Sequence, residues 1–89
     1  MIEKQIIFVP EAAKYAWDNI EVSPIWDDGN GVAKVCERGE ESYWSVYLHQ
    51  FEGGVRCIAD LPTEILAYQF AHLLKNAVIS HTQLLIRIN

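Results

Sequence analysis

Cysteine is scarce in this sequence, and its two copies are far apart: Cys36 and Cys57 lie 21 positions from one another in a chain of 89 residues. Small secreted domains held by disulfides carry denser, even-numbered cysteine frameworks, so both thiols are read as reduced. Val35 before Cys36 and Ile58 after Cys57 are strand-like neighbours, which makes each Cys a small core or sheet residue by expectation. Structural zinc needs four converging Cys or His ligands, and Cys36, Cys57, His49, His72 and His81 contain no pair at zinc-ligand spacing. The Gly-rich cradles that bind nucleotide phosphates are missing too, and Asp27, Asp28 and Asn30 lack the ligand order and closing Glu of a calcium loop. No cofactor or metal is expected.

Long apolar runs are also absent. Stretches such as Ile6 to Pro10 or Leu84 to Ile86 fall far short of the roughly 20 residues that span a bilayer. The segment Met1-Ile2-Glu3-Lys4-Gln5 shows no basic leader, apolar stretch or small-residue cleavage site, so the expectation is a soluble cytoplasmic protein. Repeats, low-complexity tracts and Pro/Ser-rich linkers are lacking, which points to one domain over residues 1–89.

Basic residues are few. The formal net charge is −5, and from Asp18 to Glu64 ten acidic residues face only Lys34, Arg38 and Arg56. An acidic surface repels nucleic-acid phosphates and anionic lipid, so direct nucleic-acid or membrane binding is disfavoured.

What the chain does have is apolar and aromatic content: 51% hydrophobic residues, with three Trp, four Tyr and three Phe, enough for a core without disulfides or metal. Turn chemistry at Asp27-Asp28-Gly29-Asn30-Gly31, Glu37-Arg38-Gly39-Glu40-Glu41 and Phe51-Glu52-Gly53-Gly54 separates strand-like segments at Ile20–Trp26, Val32–Cys36, Ser42–Gln50 and Val55–Asp60. These predict an antiparallel meander, with Pro24 placing the first segment at an edge or a bulge. A two-residue Glu52-Gly53 turn would pair Leu48 with Cys57 and Val46 with Ala59 on the apolar face, alongside Trp44. Tyr43, Ser45, Tyr47 and His49 would then share the other face with Arg56, Ile58 and Asp60.

After Leu61-Pro62, Thr63 is a helix cap and Glu64 complements the helix dipole. On a helical wheel Leu66, Ala67, Phe70, Ala71, Leu73, Leu74, Ala77 and Val78 form one arc that must cover the sheet. Lys4–Val9 and Gln83–Ile88 read as short strands, and Pro10–Trp17 as a short helix, with one bent strand from Tyr15 to Trp26 as the alternative. The predicted class is α+β: an antiparallel sheet of about four to five strands packed by one long C-terminal helix from Thr63 to Val78, in the order β-α-β-β-β-β-α-β.

Catalytic chemistry is thin. Ser45, His49 and Asp60 could approach one another on the sheet, but ordinary sheet-face polar residues explain them equally well, and no strained Gly-x-Ser-x-Gly turn is present. Two surfaces are candidate interfaces instead. One is a helix stripe of Ile65, Tyr68, His72 and Ile79, where each large apolar side chain could contribute roughly 1.5–3 kcal/mol on burial. The other is the sheet face with Tyr43, Tyr47, His49 and Arg56, residue types enriched where proteins meet. Packing by the first helix or the terminal strands would account for either surface without a partner.

The expected function is a small acidic protein-binding module, accessory or inhibitory, that occludes a partner's surface or associates with its own copy, as in a homodimer. Small acidic proteins of phages, mobile elements and bacteria share this profile. The competing expectation is a small ligand-binding or enzymatic domain that uses Tyr43, Tyr47, His49 and Arg56 as a pocket floor.

Overall fold

A computed structural model describes residues 4–9, 17–50 and 53–88, with the backbone alone at residue 18 and residues 78–88. Five strands and one helix follow in the order β1 (Gln5–Phe8), β2 (Trp17–Asp27), β3 (Ala33–Val35), β4 (Tyr43–Gln50), β5 (Val55–Leu61) and α1 (Glu64–Ile88). The strands form one antiparallel sheet in which β2 and β4 are adjacent, β5 flanks β4, and β1 and β3 both pair with β2. The fold is therefore α+β, with the C-terminal helix packed on the sheet.

Strand β2 is central, not an edge. On one side it runs against β4 from Trp17↔Gln50 to Ile25↔Tyr43. On the other side β1 covers residues 19–22 and β3 covers residues 25–27, which leaves Ser23 and Pro24 in the gap between them. In a strand the N–H and C=O of one residue point the same way. The Pro24 carbonyl accepts from Cys36 N–H at 3.0 Å, so the proline nitrogen also faces the outer edge, where no β1 partner waits. A strand can thus hold proline at its centre when its outer neighbour is interrupted at that residue. Because β3 folds onto this outer edge, the segments do not run as a simple meander.

The β4–β5 hairpin keeps the expected register at one end only. Trp44↔Leu61, Ser45↔Asp60 and Val46↔Ala59 agree with it, but Tyr47 pairs with Cys57, Leu48 with Arg56 and His49 with Val55, with the irregularity between Val46 and Tyr47. Gln50 exchanges backbone hydrogen bonds with Gly53 and Gly54, both at positive φ (107° and 86°), so the loop holds three residues and not two. That extra residue shifts the register by one. A β-bulge at Ile58 takes up the shift, restores the pairing beyond it, and turns Ile58 onto the core.

Alternation then sorts the sheet. Ile7, Ile20, Val22, Trp44, Val46 and Leu48 are buried on one face beneath α1, whose Ala67 and Ala71 are fully buried and whose Phe70 and Leu74 pack beside them. Alanines at the contact let the helix lie close to the strands, so the buried arc is narrower than the wheel suggested. Leu66 (44% exposed) and Leu73 (69%) fall outside it, and Ala77 is exposed. Thr63 caps the helix as expected, its Oγ1 accepting Leu66 N–H at 3.2 Å.

The helix does not stop at Val78. It runs on to Ile88, so no terminal strand forms over Gln83–Ile88. Between Glu64 and Ile88 there is no Gly or Pro to end the i→i−4 ladder. The expected N-terminal helix falls on residues 10–16, outside the described residues, apart from Trp17, which opens β2 as the one-strand alternative required. Among the described residues no helix is long and apolar enough to cross a membrane.

Candidate functional site

The face of the sheet turned away from α1 carries the polar chemistry. Along β2 it presents Asn19, Glu21, Ser23 and Ile25, and along β4 the partners His49, Tyr47, Ser45 and Tyr43. Beyond them, β5 contributes Val55, Cys57 and Asp60.

Glu21 is 8% exposed and sits at the centre of one cluster. Ser23 Oγ donates to Glu21 Oε2 at 2.6 Å, while His49 Nε2 lies 2.8 Å and Lys4 Nζ 3.5 Å from Oε1. An ionised carboxylate only accepts, so the His49 nitrogen facing it carries the proton. Burial pushes the Glu21 carboxyl up, but the bonds from Ser23 and His49 and the Lys4 charge outweigh it and hold the group below the ordinary range.

A second cluster lies nearer the β3 end. Ser45, 2% exposed, donates to Asp60 Oδ1 at 2.5 Å, and Cys57 Sγ lies 3.6 Å from the same oxygen. Tyr43 OH donates to Asp27 Oδ2 at 3.2 Å. Burial raises both tyrosines, and nearby carboxylates add to the effect, so the phenols stay protonated. A groove of ≈ 270 Å³ opens here between Tyr43, Tyr47, Ser45, Cys57, Asp60 and the β3 strand.

The hydrogen bonds separate the Ser45, His49 and Asp60 set: Ser45 bonds Asp60, while His49 bonds Glu21. No nucleophile–base contact joins them. Tyr43, Tyr47 and His49 share the open face as expected. Arg56 does not join them. The one-residue shift at the hairpin pairs it with Leu48, on the helix side of the sheet, so the expected four-residue pocket floor does not assemble. Cys36 is buried, but Cys57 is exposed because the same shift puts it opposite Tyr47 on an edge strand.

The helix stripe is present in its described part. Ile65 is 69% and Tyr68 38% exposed, and the Tyr68 ring lies 4.7 Å, centroid to centroid, from the exposed His72 one turn on. The Ile79 side chain lies outside the described residues. Gln5, Glu64, Ile65, Tyr68 and Gln69 line a hollow of ≈ 220 Å³ beside the stripe, where Glu64 ties Gln5 (2.9 Å) and Arg38 (2.5 Å) to the start of the helix.

Sequence reading missed Glu21 and Ser23, which it placed on a strand without assigning a face, and Asp27, which it placed in the turn that follows. Their signal was the alternation of β2 itself, in which Asn19, Glu21, Ser23 and Ile25 share one side. Asp27 and Asp28 at the β2 end do not gather around a common centre. Their Oδ1 atoms accept the Gly29 and Asn30 amides at 2.7 Å, as in a plain Asx turn. Among the described residues no three His, Cys, Asp or Glu side chains gather as a metal site would require. Comparison of the chain with protein-family models, with curated proteins and with solved structures gives no match.

Proposed function

We propose that this chain is a small acidic protein-binding module, accessory or inhibitory in action, that works by occluding a partner's surface or by pairing with its own copy. One observation carries the reading: α1 exposes large apolar side chains on both flanks of its buried seam. Ile65 and Tyr68 lie on one flank, and Leu66 and Leu73 on the other. A surface helix normally pairs one apolar stripe with a polar remainder. This helix holds only three charged residues in 25, Glu64, Lys75 and Arg87. The net charge of −5 supports a basic partner reached by electrostatic steering. The ligand-binding or enzymatic alternative is weaker, because it needed Arg56 beside Tyr43, Tyr47 and His49.

Sedimentation and light scattering over a range of concentrations test this reading, with Ile65→Glu and Tyr68→Glu as probes of the stripe. Association that both substitutions reduce supports it. A chain that stays monomeric throughout, and whose captured proteins bind the two variants as well as the parent, removes it.

A further inference from the structure

We propose that the groove on the open sheet face is a receptor for an arginine side chain presented by a partner protein. The site is separate from the helix stripe, and the proposal rests on the protein-binding reading only for the source of the arginine.

Charge and shape coincide in this groove, where a carboxylate without a partner cation lines a cavity beside two tyrosines. Glu21 is paired with Lys4, and Glu64 with Arg38. Asp60 and Asp27, by contrast, take only neutral donors: Ser45 and Cys57 on Asp60 Oδ1, the Tyr43 hydroxyl on Asp27 Oδ2 and the Gly29 amide on Asp27 Oδ1. Among the described residues no cation lies within ion-pair distance of either, and Asp60 Oδ2 accepts no hydrogen bond. Lys34 borders the groove, but its ammonium lies 5.3 Å from the Trp26 ring centroid, and the Trp26↔Lys34 pairing puts both on the helix side of the sheet. The Asp60 carboxylate thus lines the cavity without a counter-charge among the described residues, and Asp27, bonded to the lining Tyr43, lies next to it.

Shape and wall chemistry select the ligand. The cavity of ≈ 270 Å³ lies below the roughly 300–1,000 Å³ of pockets that hold whole drug-sized molecules, which suits a single side chain. Its walls include Tyr43 and Tyr47, whose faces attract cations. A guanidinium is planar, stacks on aromatic rings and forks onto a carboxylate, whereas an ammonium is a strongly hydrated point charge. Asp60, Tyr43 and Tyr47 line the same groove and so bring both kinds of contact to one place. The neighbouring loops add Asp28, Glu40 and Glu41, a negative field that would steer a basic segment toward the groove.

The test is an NMR titration of the full chain with the peptide acetyl-Gly-Gly-Arg-Gly-Gly-amide, alongside the same peptide with citrulline or lysine in place of arginine. The expected result is saturable shifts at Tyr43, Ser45, Tyr47 and Asp60, weaker binding of the lysine peptide and none of the citrulline peptide. Asp60→Asn should weaken binding about fivefold or more, whereas Glu40→Gln, an equal change in charge outside the groove, should alter it less than about twofold. Tyr47→Leu, which keeps Asp60 and Ser45, is the second variant, and thermal midpoints verify that each is folded. Equal losses in Asp60→Asn and Glu40→Gln, shifts spread over the acidic surface, or citrulline binding as well as arginine would overturn the proposal. None of these results bears on association through Ile65 and Tyr68, so the two readings fail separately.

Discussion

His49 Nε2 and Glu21 Oε1 meet at 2.8 Å across the β2–β4 pair, on a diagonal in which Glu21 faces Tyr47 and His49 faces Asn19. This contact joins two adjacent central strands on the face the helix does not cover. Since Glu21 is buried and also holds Ser23 and Lys4, its carboxylate organises that face.

Glu21→Ala should therefore destabilise the fold by about 2–3 kcal/mol, because it strands the Ser23 hydroxyl and the His49 donor together. The sign of the pH effect follows from the depressed Glu21 carboxyl. Its contribution is complete above the unfolded carboxyl value of about 4.3 and is lost as pH falls through the lower folded value. Denaturant melts from pH 6 downward should show stability falling below about pH 4, with Glu21→Gln flattening that acid limb. An unchanged acid limb in the variant would mean that other carboxylates control acid unfolding.

The helix seam gives a contrast between neighbours. Ala71 is fully buried against the sheet, and Leu73, two residues on, is 69% exposed. Ala71→Leu should cost about 1–3 kcal/mol by overpacking, whereas Leu73→Gln should change stability by no more than about 0.5 kcal/mol. Thermal or urea unfolding of the two variants decides it, and a costly Leu73→Gln would show that this side chain is covered in solution.

Thr63 offers a third measurement. Its hydroxyl oxygen is the side-chain acceptor for the Leu66 amide at the start of α1, so Thr63→Ala should lose about 1 kcal/mol, and Thr63→Asp should retain most of the stability. If Thr63→Ala unfolds at the parent's midpoint, water caps this helix as well as the hydroxyl does.

Most of the architecture was legible because it depends on local patterns. Alternation in Tyr43–Gln50 and the Pro62-Thr63-Glu64 signal set a strand and a helix start that the structure keeps. What failed was non-local or depended on a single residue. Nothing in the local sequence reveals that β3 lies on the outer edge of β2, and so nothing reveals that Pro24 can sit in a central strand. The loop after Gln50 accommodates one residue more than the shortest turn, which moved Arg56 to the helix face. Leu84-Leu85-Ile86 suits a strand or a helix equally, and only the unbroken ladder behind it decides. The open face was found through β4, whose aromatic alternation is strong, and missed on β2, where a polar stripe is buried by its neighbours.

The hairpin shift also fixes the chemistry of the thiols, and so makes the register measurable in solution. Cys57 is exposed on β5 next to Asp60, while Cys36 is buried. Partial desolvation of its sulfur against the sheet and the Asp60 charge both raise the Cys57 thiol, which leaves little thiolate at neutral pH. In native protein a thiol-specific disulfide reagent should label one cysteine slowly and the second only on unfolding, with Cys57→Ser removing the first phase. Asp60→Asn should speed that phase, because the thiolate loses a repulsive neighbour. Had the hairpin followed the register expected from a two-residue turn, Cys57 would lie opposite Leu48 on the other face of the sheet from Asp60. An Asp60→Asn variant labelled no faster than the parent would therefore contradict the bulge at Ile58.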